Sequence, residues 1–172
     1  MWPRLSRDFA RLRRIKGWGM ARTLVDALLL DNGFQALMLY RSAHTLRRWR
    51  VPFVPAVGRR LSIALCGIDI VPQARIGGGC YIPHGVGLVV GGATEIGEDC
   101  TLLQGVTLGE ARFDSDDCPR IGDRVTLGAG AKILGAIQVG DDAFVGAGAV
   151  VLDDVPAGYV AVGVPARSRP AA

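Results

Sequence analysis

The residues of this 172-residue chain best suited to acid–base, nucleophilic or metal chemistry are two histidines and four cysteines. Cys66, Cys80, Cys100 and Cys118 have no C-x-x-C spacing, and two histidines are too few to complete a zinc site with them, so no metal is expected. Reduced thiols of a cytoplasmic protein are the expectation. His44 falls in a predicted helix and reads as structural. His84 stands in Tyr81-Ile82-Pro83-His84-Gly85 and is the only histidine after His44. An imidazole titrates near neutrality and suits proton transfer there. A lone histidine is often structural, and its spacing alone leaves both roles open.

His84 must be positioned by its surroundings, and these are periodic. An aliphatic residue recurs every six positions at Ile70, Ile76, Ile82 and Leu88, then Ile96, Leu102 and Leu108, then Ile121, Leu127, Ile133, Val139, Val145 and Val151. Two extra residues before Ile96 and a longer insertion before Ile121 are the only breaks. A period of six is neither that of a helix nor that of a long strand. It marks a parallel β-helix of hexapeptide repeats. One aliphatic side chain per unit points inward. A small residue two places earlier (Ala74, Thr94, Cys100, Val106, Val125, Ala131, Ala149) fits a corner. Glycine after the aliphatic residue is assigned to the backbone angles of the turn. Three flanks make a coil, and coils stack at about 4.8 Å. A prism this narrow is expected to pack its faces against copies of itself.

The expected organisation is a basic helical segment over residues 1–67 and a β-helix domain over 68–172, with a loop at 110–120 and a C-terminal cap at 153–172. Leu5, Phe9, Leu12 and Ile15 predict one face of a helix in residues 1–20. A helix over Thr23–Leu30 is predicted to stop at Asp31-Asn32-Gly33. Further helices are predicted over Phe34–Trp49 and Pro55–Cys66. The first 60 residues hold 13 Lys/Arg against 3 acids, while the remainder holds 7 against 13. A solvated helical face explains this most simply, with no nucleic-acid partner. Contact with a membrane surface through the basic N-terminus is the alternative. Arginines interrupt each apolar run before Leu24, so no signal peptide is expected, and no apolar run reaches the ~20 residues of a membrane span.

The run from IDIVPQARIGGGCYIPHGVGLVVGGATEIGEDCTLLQGVTLGE through GAGAKILG to GVPAR, with GFQALMLYRSAHTL upstream, resembles the serine acetyltransferase group of hexapeptide acyltransferases. The resemblance covers about residues 33–167. It implies a mainly β fold: a left-handed parallel β-helix preceded by a short α-helical segment. It implies a homotrimer, or a dimer of trimers, with acetyl-CoA bound between neighbouring solenoids. His84 matches the family's general base, and Asp69, fifteen residues earlier, matches the aspartate that orients it. Gly109, Ala129, Lys132, Ala147 and Arg167 match positions lining the acetyl-CoA groove. Such a base fits the chemistry, because a hydroxyl is a poor nucleophile at neutral pH.

Three features depart from the family pattern. Pro83 replaces the aspartate before the histidine. Asp117-Cys118 replaces the Arg-His pair that meets the amino-acid carboxylate, which makes Asp117 and Cys118 candidate substrate-binding residues. The helical segment is short. Together they favour a sugar hydroxyl as acceptor, as in the exopolysaccharide and capsule acetyltransferases. Serine, for cysteine biosynthesis, is the alternative. A non-catalytic or metal-binding β-helix module is the remote one.

Overall fold

A two-residue strand cannot satisfy its own backbone, so each rung of a hexapeptide repeat must find its hydrogen bonds in the coils above and below. The computed structural model describes residues 2–112, 115 and 117–171. Among these, helices α1 (Trp2–Lys16), α2 (Met20–Leu29), α3 (Asn32–Arg48) and α4 (Val54–Cys66) come first. Short strands follow: β1 (Asp69–Ile70), β2 (Arg75–Ile76), β3 (Val89–Val90), β4 (Glu95–Ile96), β5 (Thr101–Leu102), β6 (Thr107–Gly109) and β7 (Arg120–Ile121). Then come β8 (Thr126–Leu127), β9 (Lys132–Leu134), β10 (Gln138–Val139), β11 (Phe144–Val145), β12 (Val150–Val151), β13 (Tyr159–Gly163) and β14 (Ala166–Pro170). They form three faces: β1-β3-β6-β9-β12, then β2-β4-β7-β10, then β5-β8-β11-β13, each parallel throughout. Strand β14 returns antiparallel on β13 and closes the far end.

Inside, each face stacks one column of aliphatic side chains. On the first face these are Ile70, Val90, Leu108, Ile133 and Val151, all at most 2% exposed. The second-coil residue is therefore Val90, not the Leu88 expected from the count of six. The two extra residues lie between Ile82 and Val90, in the flank that carries His84, rather than before Ile96. Leu88, also buried, fills the corner slot that small residues hold elsewhere.

The glycines divide into two kinds. A Cβ on Gly77 would lie 2.6 Å from the Gly97 carbonyl carbon, so this glycine is needed for coil-to-coil approach rather than for turn angles. Left-handed backbone falls instead on a second set of glycines, described below.

Helix α2 stops just before Asp31-Asn32-Gly33, as expected, but the same residues also start the next helix. The Asp31 carboxylate accepts the Phe34 amide at 2.9 Å and caps α3. Helix α1 also differs from expectation, because Ile15 is 48% exposed while Asp8 is 1% exposed. Asp8 binds Arg41 Nε and Nη2 at 2.5 and 2.9 Å and accepts the Cys80 amide at 2.9 Å. Arg41 continues onto the carbonyls of Ile76 and Gly77. Arg11 reaches the carbonyls of Gly79 and Cys100 at 2.6 and 2.8 Å. Tyr40 donates to Ala74 O at 2.7 Å. The helices are thus bonded to the first two coils, and one continuous core runs from Ala36, Leu37 and Tyr40 to Ala161. Among the described residues no helix is long and apolar enough to cross a membrane.

Candidate active site

Where the third face turns into the first, each coil needs a left-handed residue. Gly67, Gly87, Gly105, Gly130 and Gly148 supply it, with φ of 67°, 79°, 67°, 72° and 68°. They stack into a ridge. The amides of Gly87, Gly105, Gly130 and Gly148 donate to Gly67, Val86, Gln104 and Ala129 carbonyls at 2.8–3.0 Å. His84 lies at the ridge's first-coil end, in the lengthened flank. Its own backbone is left-handed (φ 53°), a conformation histidine tolerates better than most side chains. Its ring is exposed, and among the described residues it has no hydrogen-bond partner. Gly85 beside it packs directly on Ile68 and Ile82, which pins the turn to the core.

Asp69 sits in the strand against which this turn packs, and its amide donates to Leu88 O at 2.9 Å. Its carboxylate, however, is held by Arg59 Nε and Nη2 at 2.6 and 2.8 Å. Among the described residues no hydrogen bond joins Asp69 to His84. The expected pairing is replaced here by a bidentate ion pair, whose two parallel charge-assisted bonds outweigh one bond to a neutral ring. Nothing in the spacing of the sequence singled out Arg59.

Three further expected residues share the ridge. Ala129 and Ala147 immediately precede Gly130 and Gly148, the first half-buried and the second exposed. Lys132 donates from Nζ to Gly105 O at 2.6 Å. Gly109 lies at the opposite edge of the first face, where the insertion leaves, with no atom within 4 Å of where a Cβ would be. Arg167 is exposed on β14, opposite Val162. Asp117 is exposed and borders two clefts of about 270 and 620 Å³ beside the insertion. Cys118 is only 8% exposed, with its sulfur packed against Gly91. Residues 113, 114 and 116 of the expected loop lie outside the described residues. Within one chain, then, His84 and the insertion stand at different edges of the first face.

The family model described as bacterial transferase hexapeptide (six repeats) matches residues 118–153. A serine acetyltransferase of Helicobacter pylori J99 is 48% identical over 149 residues, covering 86% of this chain and 87% of the relative. The chain belongs to the serine acetyltransferase family. The Synechococcus elongatus member is 45% identical over 86% of this chain and 61% of its own length. Among solved structures, a serine acetyltransferase in complex with cysteine aligns with a TM-score of 0.88 at 37% identity, over 96% of this chain and 68% of that one. The coenzyme A complex of the Brucella abortus S19 enzyme gives 0.88 at 36%, over 96% and 66%. As a family member the chain is an O-acetyltransferase on a left-handed β-helix. Its relatives favour the amino-acid acceptor, first set out as the alternative, over the sugar acceptor expected from the departures.

Proposed function

We propose that this enzyme transfers the acetyl group of acetyl-CoA to the hydroxyl of serine, with His84 as general base, at a site completed between protomers of a trimer. The serine hydroxyl gives its proton to His84 as its oxygen attacks the thioester carbonyl carbon. The tetrahedral intermediate then collapses, the C–S bond breaks, and the imidazolium returns the proton to the leaving thiolate. Backbone N–H groups of the glycine-rich turns are the donors for the oxyanion. Ala129 and Ala147 leave room for the pantetheine arm along the ridge. Gly109 leaves the same freedom at the other edge of the face, and Lys132 and Arg167 meet phosphates. The exposed His84, unpartnered on a ridge it shares with Ala129, Lys132 and Ala147, is the observation that carries this reading. The separation of His84 from the insertion supports a partner protomer bringing its own insertion to the ridge.

A sugar hydroxyl is the second reading, favoured by one observation: Asp117, exposed beside the insertion, would repel an amino-acid carboxylate. Thiol release from acetyl-CoA, measured with serine, homoserine and nucleotide-linked sugars, separates the two. Serine turnover is expected, and sugar turnover without serine turnover would transfer the assignment to the second reading. His84→Ala should lose roughly 10²–10⁴-fold in kcat. Full activity in that variant would end the base assignment.

A further inference from the structure

Among the described residues, four of the thirteen basic side chains of the helical segment have carboxylate partners. Arg7 pairs with Glu98 and Asp99, Lys16 with Asp26 and Asp31, Arg41 with Asp8, and Arg59 with Asp69. Arg4, Arg47 and Arg48 do not: among the described residues none has a carboxylate within ion-pair reach. These three converge on two adjoining clefts of about 570 and 560 Å³ between α1, α3 and the first coil. Arg75 lines the second cleft, Trp49 the first, and His44 both. No acidic residue lines either cleft. Arg41 in the first cleft is neutralised by Asp8, and Arg75 in the second by Glu95 at 3.0 Å.

Helix-dipole compensation explains part of this cluster, since Arg47 and Arg48 stand in the last turn of α3. It does not explain Arg4, which stands in the first turn of α1, where a cation is disfavoured. Nor does it explain why two separate helices aim guanidiniums at one space. Their mutual field is registered by His44, whose pKa is lowered by burial first and then by Arg4, Arg48 and Arg47, against the pull of its bond to Pro72 O. Uncompensated guanidinium forks in a concave site match the oxygens of a phosphate.

We propose that this cleft binds a phosphate-bearing ligand, gripped by Arg4, Arg47 and Arg48 with Trp49 as an apolar wall at its mouth. The site lies on the helical layer, away from the glycine ridge, and does not depend on the acyl-transfer reading. Two sources share the chemistry, a soluble phosphate ester and an anionic lipid headgroup.

The test titrates the full-length protein with inorganic pyrophosphate while following the two histidines by NMR. In parallel, the protein is co-sedimented with vesicles of phosphatidylglycerol in phosphatidylcholine and with phosphatidylcholine alone. Saturable pyrophosphate binding that raises the His44 pKa and leaves His84 unmoved is the expected result. The double variant Arg47→Gln, Arg48→Gln should bind about tenfold weaker per guanidinium lost, or worse. It should keep wild-type acetyl transfer, which also certifies its fold. Binding to the anionic vesicles alone, lost in the variant, assigns the ligand to a lipid headgroup; pyrophosphate binding alone assigns it to a soluble phosphate. Binding to neither, binding equal in the variant, or pyrophosphate binding that leaves His44 unmoved overturns the proposal.

Discussion

Gly33→Ala should cost both stability and turnover, although alanine is the better helix former by about 0.5–1 kcal/mol. Gly33 lies in the first turn of α3, and a Cβ there would overlap the Ile82 carbonyl oxygen and stand 2.9 and 3.0 Å from Ile82 Cβ and carbonyl carbon. Ordinary contact begins near 3.4 Å, so helix and coil must part by something approaching 1 Å. Overpacking of this kind costs about 1–3 kcal/mol. Ile82 is two residues before His84, so the displacement passes directly into the turn that carries the base. A misplacement of about 1 Å at a reacting group costs on the order of 10²-fold in kcat. Thiol release at saturating acetyl-CoA measures kcat, and thermal unfolding measures the packing term. Gly58→Ala on α4 is the control: its Cβ would meet Ala43 Cβ at 3.3 Å and Leu39 O at 3.9 Å, and it should leave both readouts near wild type. A Gly33→Ala enzyme with kcat within about twofold of wild type would refute the idea that α3 sets the position of the His84 turn.

Asp8→Ala leaves Arg41, 4% exposed, as an uncompensated buried cation, and should cost about 3–5 kcal/mol in denaturant or thermal unfolding. Replacing both partners with apolar residues of similar volume should recover much of that loss. Thr94 Oγ1 is buried without a partner, so Thr94→Val should stabilise by about 1 kcal/mol, a rise of roughly 2–4 °C in Tm. The folded state holds the His44 pKa below its ordinary value of about 6.5, mainly through burial. The unfolded chain therefore binds the proton more readily, and stability should fall as pH drops through about 6.5, then level off below the folded pKa. His44→Gln should flatten that slope in pH-dependent melts.

The repeat was legible because one face of a two-residue strand leaves a periodic trace that no helix imitates. The position of the irregularity was not. Leu88 and Val90 are both aliphatic and both 0% exposed, so hydrophobicity cannot say which occupies the strand slot. The eight-residue flank around His84 was therefore misplaced by one unit. Asp31-Asn32-Gly33 marked the end of one helix without showing that the next begins there: Asp caps a helix start, and Asn-Gly serves a helix end equally well. His84 stood out by type and context. Arg59 and the Asp8–Arg41 pair did not, since charged partners 10 and 33 residues apart leave no periodic mark. The ridge that unites His84 with Ala129, Lys132 and Ala147 emerges only when left-handed glycines are seen stacked coil upon coil.

The position of His84 explains why a β-helix of this kind needs its helices. In a solenoid each coil is stabilised by its neighbours, and the terminal coil has a neighbour on one side only. Such end units open most readily, a poor foundation for a group that must be held to fractions of an ångström. Here the base rides on the first coil and on the turn joining it to the second. The bonds from the helices fall on those same coils: Tyr40 on Ala74 O, Arg41 on Ile76 and Gly77 O, Asp8 on the Cys80 amide, and Arg11 on Gly79 and Cys100 O. Gly33 adds a backbone-to-backbone contact at Ile82. At the other end, where among the described residues none of the four helices makes a hydrogen bond, the β13–β14 hairpin closes the stack. The helical layer thus supplies the missing neighbour of the first coil. Arg7, Arg11, Arg41 and Arg59 accordingly direct their charge to carbonyls and carboxylates of the solenoid.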